Sequence, residues 1–248
     1  MKNAERSTAR SAAGMRAARG FSLIELLVVM GVIAALAALT FPIMGAIKRA
    51  QTLHRARAEL AQIEMAIEAY KTKLGFYPPD NPGYWTTNQL YFELLGTTLV
   101  TNAGQPTFQT LDGSAQVRNT PAAFKTAFGP NTKITRFMNC ARAGAGDDAP
   151  SAVKFLIGLK PAQFLAINSP VTTTVLGTSM AGVPVFTGPG STTGEITPYG
   201  YNSSNPQHNP KSFDLWIDVL AGGKTNRVSN WSEKPTIVYW TSPANAYP

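Results

Sequence analysis

Glu25 is the single ionisable residue in an otherwise apolar run over residues 21–47. An ionised carboxylate in hydrocarbon costs about 2.5 to 3.5 kcal/mol even on lenient insertion scales, so its presence asks for a counter-charge or a nearby interface. The chemistry it offers is charge neutralisation rather than bond-making. The run exceeds the roughly 20 apolar residues that a helix needs to cross a bilayer. Glu25 sits near its start, where a carboxylate also suits the positive end of a helix dipole. Two plainer accounts compete. Glu25 could belong to a signal anchor and reach the head groups. Alternatively Ala35-Leu36-Ala37 could be the small-x-small cut of a secretory signal, releasing a soluble protein, although the apolar run then continues about ten residues past the cut. No Cys lies near the run, which excludes a lipoprotein anchor.

The rest of the chain offers little reactive chemistry. His54 lies among basic helical residues and His208 in an Asn/Pro-rich stretch. Neither has a Cys or carboxylate cluster at metal-ligand spacing, and no cofactor is expected. Gly-x-Ser-x-Gly, phosphate-loop and dinucleotide patterns are missing. Without a His base no nucleophile can be nominated, so no catalytic residue is assigned and no enzymatic activity is expected. The lone Cys140 allows no internal disulfide.

The segment Arg19-Gly20-Phe21-Ser22-Leu23-Ile24-Glu25, preceded by a basic leader, resembles the cleavage and methylation motif of type IV prepilins and type II secretion pseudopilins, and matches that motif at every position. The resemblance implies cleavage between Gly20 and Phe21 by a prepilin peptidase, methylation of the new amino group of Phe21, and an assembly role for Glu25. The ammonium so created would lie one turn from Glu25, at i, i+4 spacing. In a helical filament the ammonium of one subunit would neutralise Glu25 of its neighbour. Pro42 interrupts the run and should kink or loosen the helix, and pilin-like proteins commonly carry a proline there. Tyr70, Gly75, Phe76, Tyr77 and Pro78 resemble the helix end of G-type major pseudopilins. Phe213-Asp214-Leu215-Trp216, a Gly-rich stretch and Ser229-Asn230-Trp231 are similar to their C-terminal region. Many type IV pilins close a C-terminal loop with a cystine, which Cys140 alone cannot do. The resemblance therefore leans to a pseudopilin of a type II secretion system, with a surface type IV pilus subunit for adhesion, motility or DNA uptake as the second reading, and a signal-anchored or secreted ligand-binding domain as the third. It implies an inner-membrane, single-pass protein with an extracytoplasmic head, whose partners are further copies of itself, the peptidase, the inner-membrane platform, other pilins and, before assembly, lipid.

A formal charge of +8 raises the question of nucleic acid. Half of that excess lies in the first twenty residues, where Lys2, Arg6, Arg10, Arg16 and Arg19 face only Glu5. The next basic group, Lys48, Arg49, Arg55 and Arg57, follows the apolar run, where lipid head groups or neighbouring subunits are the fitting counter-charges and no nucleic acid is expected. Basic residues before and after the run nearly balance, so orientation rests on the resemblance.

Beyond residue 47, Leu53, Ala56, Leu60, Ile63, Ile67, Tyr70 and Leu74 recur at alternating spacings of three and four, with Arg55, Arg57, Glu59, Gln62, Glu64, Glu68 and Lys71 between them. That pattern predicts an amphipathic helix to about Lys73, closed by Gly75 and barred from continuing by Pro78-Pro79. Short helices are expected over 88–95, with Asn88 as cap, and over 121–128. Short strands or buried segments are expected over 153–159 and 163–167, and a loop or irregular hairpin over 171–194. The alternation Phe213, Leu215, Ile217, Val219 and the β-rich 236–240 predict two antiparallel strands joined by Gly222-Gly223 and the loop to Trp231. Asp214 and Asp218 fall on the alternate face and are expected to point to solvent. The loop 221–230 has no Asp or Glu, so no calcium site is expected although the G-type relatives often bind calcium there. The expected architecture is α+β: leader 1–20, membrane or filament-core helix 21–47, its amphipathic continuation 48–75, and a head over 76–248. The head would pack the helix on a small antiparallel sheet, the pilin fold, with an enlarged irregular middle over 80–210.

Overall fold

Helix α1 runs over Leu23–Leu74 and takes its two characters from its sequence. In a computed structural model that describes residues 20–142, 151–168, 172–183, 185–187 and 195–239, with side chains of 39–44, 142 and 186–187 excepted, the chain divides into two compact units, Met1–Met44 and Gly45–Pro248. In the first unit the described apolar side chains from Phe21 to Leu36 are mostly exposed, Phe21 and Leu23 at 85% and 80%. Among the described residues no helix is long and apolar enough to cross a membrane. Positions 39–44 of the apolar run lie outside the described side chains, and so does any kink at Pro42, whose backbone falls within α1. The leader, residues 1–19, also lies outside the described residues.

In the second unit the three-four stripe is the keel of the core. Ala56, Leu60, Ile63, Ile67 and Tyr70 are buried, with Leu53 and Leu74 packed at its two ends. Full burial of each of the larger side chains contributes about 1.5 to 3 kcal/mol. Gly75 ends the helix at a φ of +87°, which a side chain would strain, and its N–H returns to Lys71 O at 2.8 Å.

The head is mixed α+β. After α2 (Leu90–Leu95) come β1 (Thr97–Asn102), β2 (Gln105–Thr110), β3 (Gln116–Arg118), α3 (Pro121–Phe128) and β4 (Cys140–Arg142). They are followed by β5 (Phe164–Ile167), β6 (Thr173–Thr178), β7 (Phe186–Thr187), β8 (Glu195–Pro198) and β9 (Gly200–Asn202), then β10 (Asp214–Ala221), β11 (Lys224–Ser229) and β12 (Ser232–Ile237). Among the described residues they form three four-stranded sheets, ordered β3-β2-β1-β4, β5-β6-β8-β7 and β12-β11-β10-β9. All pairings are antiparallel except β1 with β4, which is parallel. Rings of Phe92, Phe108, Phe124, Phe128 and Phe137 pack together under the first sheet, Phe92 stacked on Phe137 at 4.7 Å.

Helix α3 starts where expected, with Thr120 Oγ1 accepting the Ala123 N–H. Several other expectations are corrected. The middle is not irregular: it supplies two of the three sheets. Within 171–194, β6 is a fully buried strand, because runs of Thr and Val suit a paired pleated backbone as well as a turn. Residues 153–159 form no strand, although Leu156 is buried and the N–H groups of Phe155 and Leu156 both donate to Leu94 O. The residue before α2 is Gln89, while Asn88 Oδ1 accepts the Leu90 N–H. Near the C-terminus the strand β11 lies between the two expected strands in place of the expected loop, and β12 ends at Ile237, with Trp240 outside the described residues. Lys224-Thr225-Asn226-Arg227 carries no apolar alternation, so hydropathy gives β11 no strand signal. Its polar side chains are satisfied inside the fold, Asn226 Nδ2 donating to Ala221 O and Lys224 O.

A buried carboxylate locks this head together. Glu93 is fully buried; its Oε1 accepts the Met138 N–H at 2.8 Å, and its Oε2 accepts the Asn139 N–H and the Tyr70 hydroxyl, both at 2.9 Å. One side chain thus ties α1, α2 and the approach to β4. Burial pushes its carboxyl above the usual 4.5, opposed by the Met138 and Asn139 N–H groups and by Tyr70. Because the folded value is raised, its contribution to stability is complete below about pH 4.5 and declines as pH rises through the folded pKa. Glu93→Gln should therefore flatten the pH dependence of the urea midpoint across that window. It should also cost about 1 to 3 kcal/mol, because an amide NH2 faces donors. Parallel wild-type and variant curves would refute this.

Candidate functional site

The residues that the sequence singled out at the start of the apolar run meet at one helix end. Gly20 and Phe21 precede α1, are exposed, and nothing crowds the position a Gly20 side chain would occupy. Ser22 Oγ accepts the Ile24 N–H at 3.3 Å, and Ser22 O accepts the Leu26 N–H at 3.2 Å, which opens the helix. Glu25 reaches back so that its Oε2 accepts the Ser22 N–H at 3.0 Å. The pair satisfies two of the donors that every helix start leaves without intrahelical partners. Ser22 was not singled out in the sequence for this, yet Ser-x-x-Glu before an apolar run is a legible capping signature.

Phe21, Ile24, Glu25, Val28 and Val29 line one shallow, mostly apolar groove, so Phe21 and Glu25 do lie on a common side of the helix. Among the described residues no cation pairs with Glu25, whose carboxylate accepts the Ser22 backbone N–H. Chemically the site offers an anionic hydrogen-bond acceptor, beside the residue that cleavage would turn into an amino terminus, on a rod of exposed apolar side chains.

Residues 15–41 match the family profile described as the prokaryotic N-terminal methylation motif. This segment is a type IV prepilin-like signal. Its extent takes in Gly20, Phe21, Ser22 and Glu25 and stops one residue short of Pro42. No curated protein and no solved structure matches the chain.

The C-terminal region is arranged differently from expectation. Asp214 and Asp218 do not point to solvent; they are 0% and 3% exposed. Asp214 accepts the N–H groups of Gln207 and His208 on Oδ2 and of Asn209 on Oδ1, between 2.7 and 2.9 Å, and so folds the 205–209 loop onto β10. Asp218 receives both Nε and Nη2 of Arg227 at 2.7 Å, a buried fork across the β10–β11 hairpin, with the Arg227 guanidinium 5.6 Å from the Trp216 ring. Sequence periodicity puts these acids opposite the apolar face, but that side of the sheet is covered too. The Trp216 ring lies there against Trp231, so close to Gly200 that a methyl on that glycine would collide with it, while Gly182 bridges to Val219 at the edge of the strand. His208 stacks on Trp231 with centroids 4.2 Å apart. Cys140 is half-buried, with its Sγ 3.4 Å from Ala141 O. Among the described residues no three His, Cys, Asp or Glu side chains are placed to hold a metal ion.

Because Arg227 is the partner of a buried acid, Arg227→Ala should destabilise the head by about 3 to 5 kcal/mol, the scale for stranding one charge of a buried pair. Chelation of divalent cations should leave the melting temperature of the wild type unchanged. A chelator-induced fall would place a cation among these carboxylates and displace this account.

Proposed function

We propose that the chain is a structural filament subunit, and that it acts as a pseudopilin of a type II protein secretion system with the pilin fold, most similar to the G-type major subunit. The observation that supports this best is Glu25 held at the first turn of a helix whose apolar side chains are exposed, inside the matched methylation motif. In this reading prepilin peptidase cuts between Gly20 and Phe21, residues 1–20 are lost, and the new amino group of Phe21 is methylated. Residues 21–47 first sit in the bacterial inner membrane as a single span, with the head outside the cytoplasm. The subunit then leaves the bilayer to join a helical homopolymer on the inner-membrane platform. There the ammonium of one copy offsets Glu25 of the next, so that neither charge is left alone among apolar side chains. Pro42 loosens the helix along this path. The work is mechanical, pushing or gating exported protein, and the chain has no catalytic role.

A surface type IV pilus subunit is the second reading, since the same motif serves both. The lone thiol of Cys140, which cannot close a C-terminal cystine, favours the secretion filament. Long external fibres containing this chain in sheared surface fractions would favour the pilus instead.

Mass spectrometry of the mature chain should find a methylated Phe21 at the amino terminus. Gly20→Val should leave the precursor uncut, because the peptidase requires a small residue there. A mature chain that starts elsewhere, or a processed Gly20→Val variant, refutes the reading. Glu25→Ala should leave insertion and cleavage intact while filament yield falls at least tenfold, equivalent to about 1.4 kcal/mol or more per subunit added. Normal yield in that variant would remove the role assigned to Glu25.

A further inference from the structure

A cleft of about 270 Å³ opens in the head where the chain leaving α1, the residue before α2 and the segment leading into β4 come together. Asp80, Gln89, Lys133, Ile134, Arg136 and Met138 are among the residues that line it. Gln89 is 2% exposed. Its Nε2 donates to Pro79 O at 3.0 Å, which fixes the way the amide faces. Its Oε1 is buried and accepts no hydrogen bond from any described residue. Buried amide oxygens are nearly always met by a donor, so this one calls for a donor from outside the chain.

Asp80, also buried, is a second acceptor in the wall. Its Oδ2 takes the N–H groups of Ser203 and Ser204, both at 3.2 Å, and the Ser204 hydroxyl at 2.8 Å. Its Oδ1 receives none of these donors and is left to accept another. The rim has the opposite character. Lys133 and Arg136 are exposed, and among the described residues neither makes an ion pair. Ile134, buried, and Met138, partly exposed, add apolar surface. The cleft therefore presents acceptors from its buried residues and cations from its exposed ones.

We propose that this cleft binds a small α-amino acid as its zwitterion, with the ammonium inward on Gln89 Oε1 and the Asp80 carboxylate, and the carboxylate outward on Lys133 and Arg136. An ammonium carries three donors, enough for both inner acceptors. A guanidinium meets a carboxylate through two parallel N–H bonds, and a lysine adds a point charge beside it. A simple carboxylic acid would leave Gln89 Oε1 unmet and bring a like charge towards Asp80. A simple amine would leave both rim cations without a counter-charge. The cleft lies just under the roughly 300 to 1,000 Å³ of pockets that hold drug-sized molecules, which suits a ligand of few heavy atoms whose side chain rests on Ile134 and Met138. The site is separate from the helix start and does not rest on the filament reading.

Calorimetric titration of the full-length chain in detergent with glycine, alanine, serine and threonine, one at a time, tests this. At least one should bind saturably with a Kd below about 1 mM and raise the melting temperature as its concentration rises. The N-acetyl derivative of that amino acid, which lacks the ammonium, and its amide, which lacks the carboxylate, should each bind at least tenfold more weakly. Lys133→Ala/Arg136→Ala removes two exposed side chains, so the melting temperature without ligand should hold while affinity falls at least tenfold. Gln89→Met, which removes the inner acceptor, should lower affinity to the same degree. Absence of saturable binding by all four amino acids, or unchanged affinity in Lys133→Ala/Arg136→Ala, overturns the proposal. Equal binding of the N-acetyl derivative overturns it as well, because no ammonium would then be needed. None of these readouts depends on filament formation, so the two readings fail separately.

Discussion

Burial of one helical stripe organises the head. Leu60, Ile63, Ile67 and Tyr70 face inward together because residues three and four apart share a side of a helix, and the core forms around them. The basic residues that precede and interleave the stripe secure it to the C-terminal sheet. Arg49 donates to Asn226 Oδ1, and Arg57 gathers three carbonyl oxygens at the β11–β12 turn. They cluster where the β11–β12 register shifts between Arg227 and Ser229, and a guanidinium with five donors can serve several at once. The helix is thereby tied to the sheet by side-chain donors as well as by its apolar stripe.

Inside the head, electrostatics is handled by local satisfaction. Glu93 collects three donors, Asp214 three backbone N–H groups, and Asp218 a two-pronged guanidinium. Each acid holds together segments far apart in the chain or pins a loop whose backbone would otherwise lack partners. Their burial is tolerable because each carboxyl group meets hydrogen-bond donors inside the fold. Orphans are few among the described residues; the Tyr199 hydroxyl and Glu59 Oε2 are two, and both lie buried near α1.

At the start of α1 the same rule is left half fulfilled. Among the described residues Glu25 has a backbone N–H as partner but no cation, and the apolar side chains beside it stay exposed. A segment of this kind is incomplete as a solitary soluble object, since both the apolar surface and the carboxylate call for something outside the chain. The matched prepilin-like signal covers this very segment.

Much of this was legible in the residues alone. The motif around Gly20, Phe21 and Glu25, the helix up to Leu74, its inward stripe, the Gly75 stop and helix α3 all arise from interactions between near neighbours in sequence, which periodicity and capping patterns report directly. The Ser22–Glu25 box was equally local and could have been read. The strands β6 and β11, the parallel β1–β4 pair and the inward turn of Asp214 and Asp218 were decided only by the tertiary structure. They depend on partners that only the folded chain brings into place: Arg227 for Asp218, the converging N–H groups of Gln207, His208 and Asn209 for Asp214, and Cys140–Arg142 for β1. Hydropathy records how well a side chain likes water, but it does not record whether a buried donor waits for it elsewhere. That is why the apolar framework follows from sequence here, and the polar interior does not.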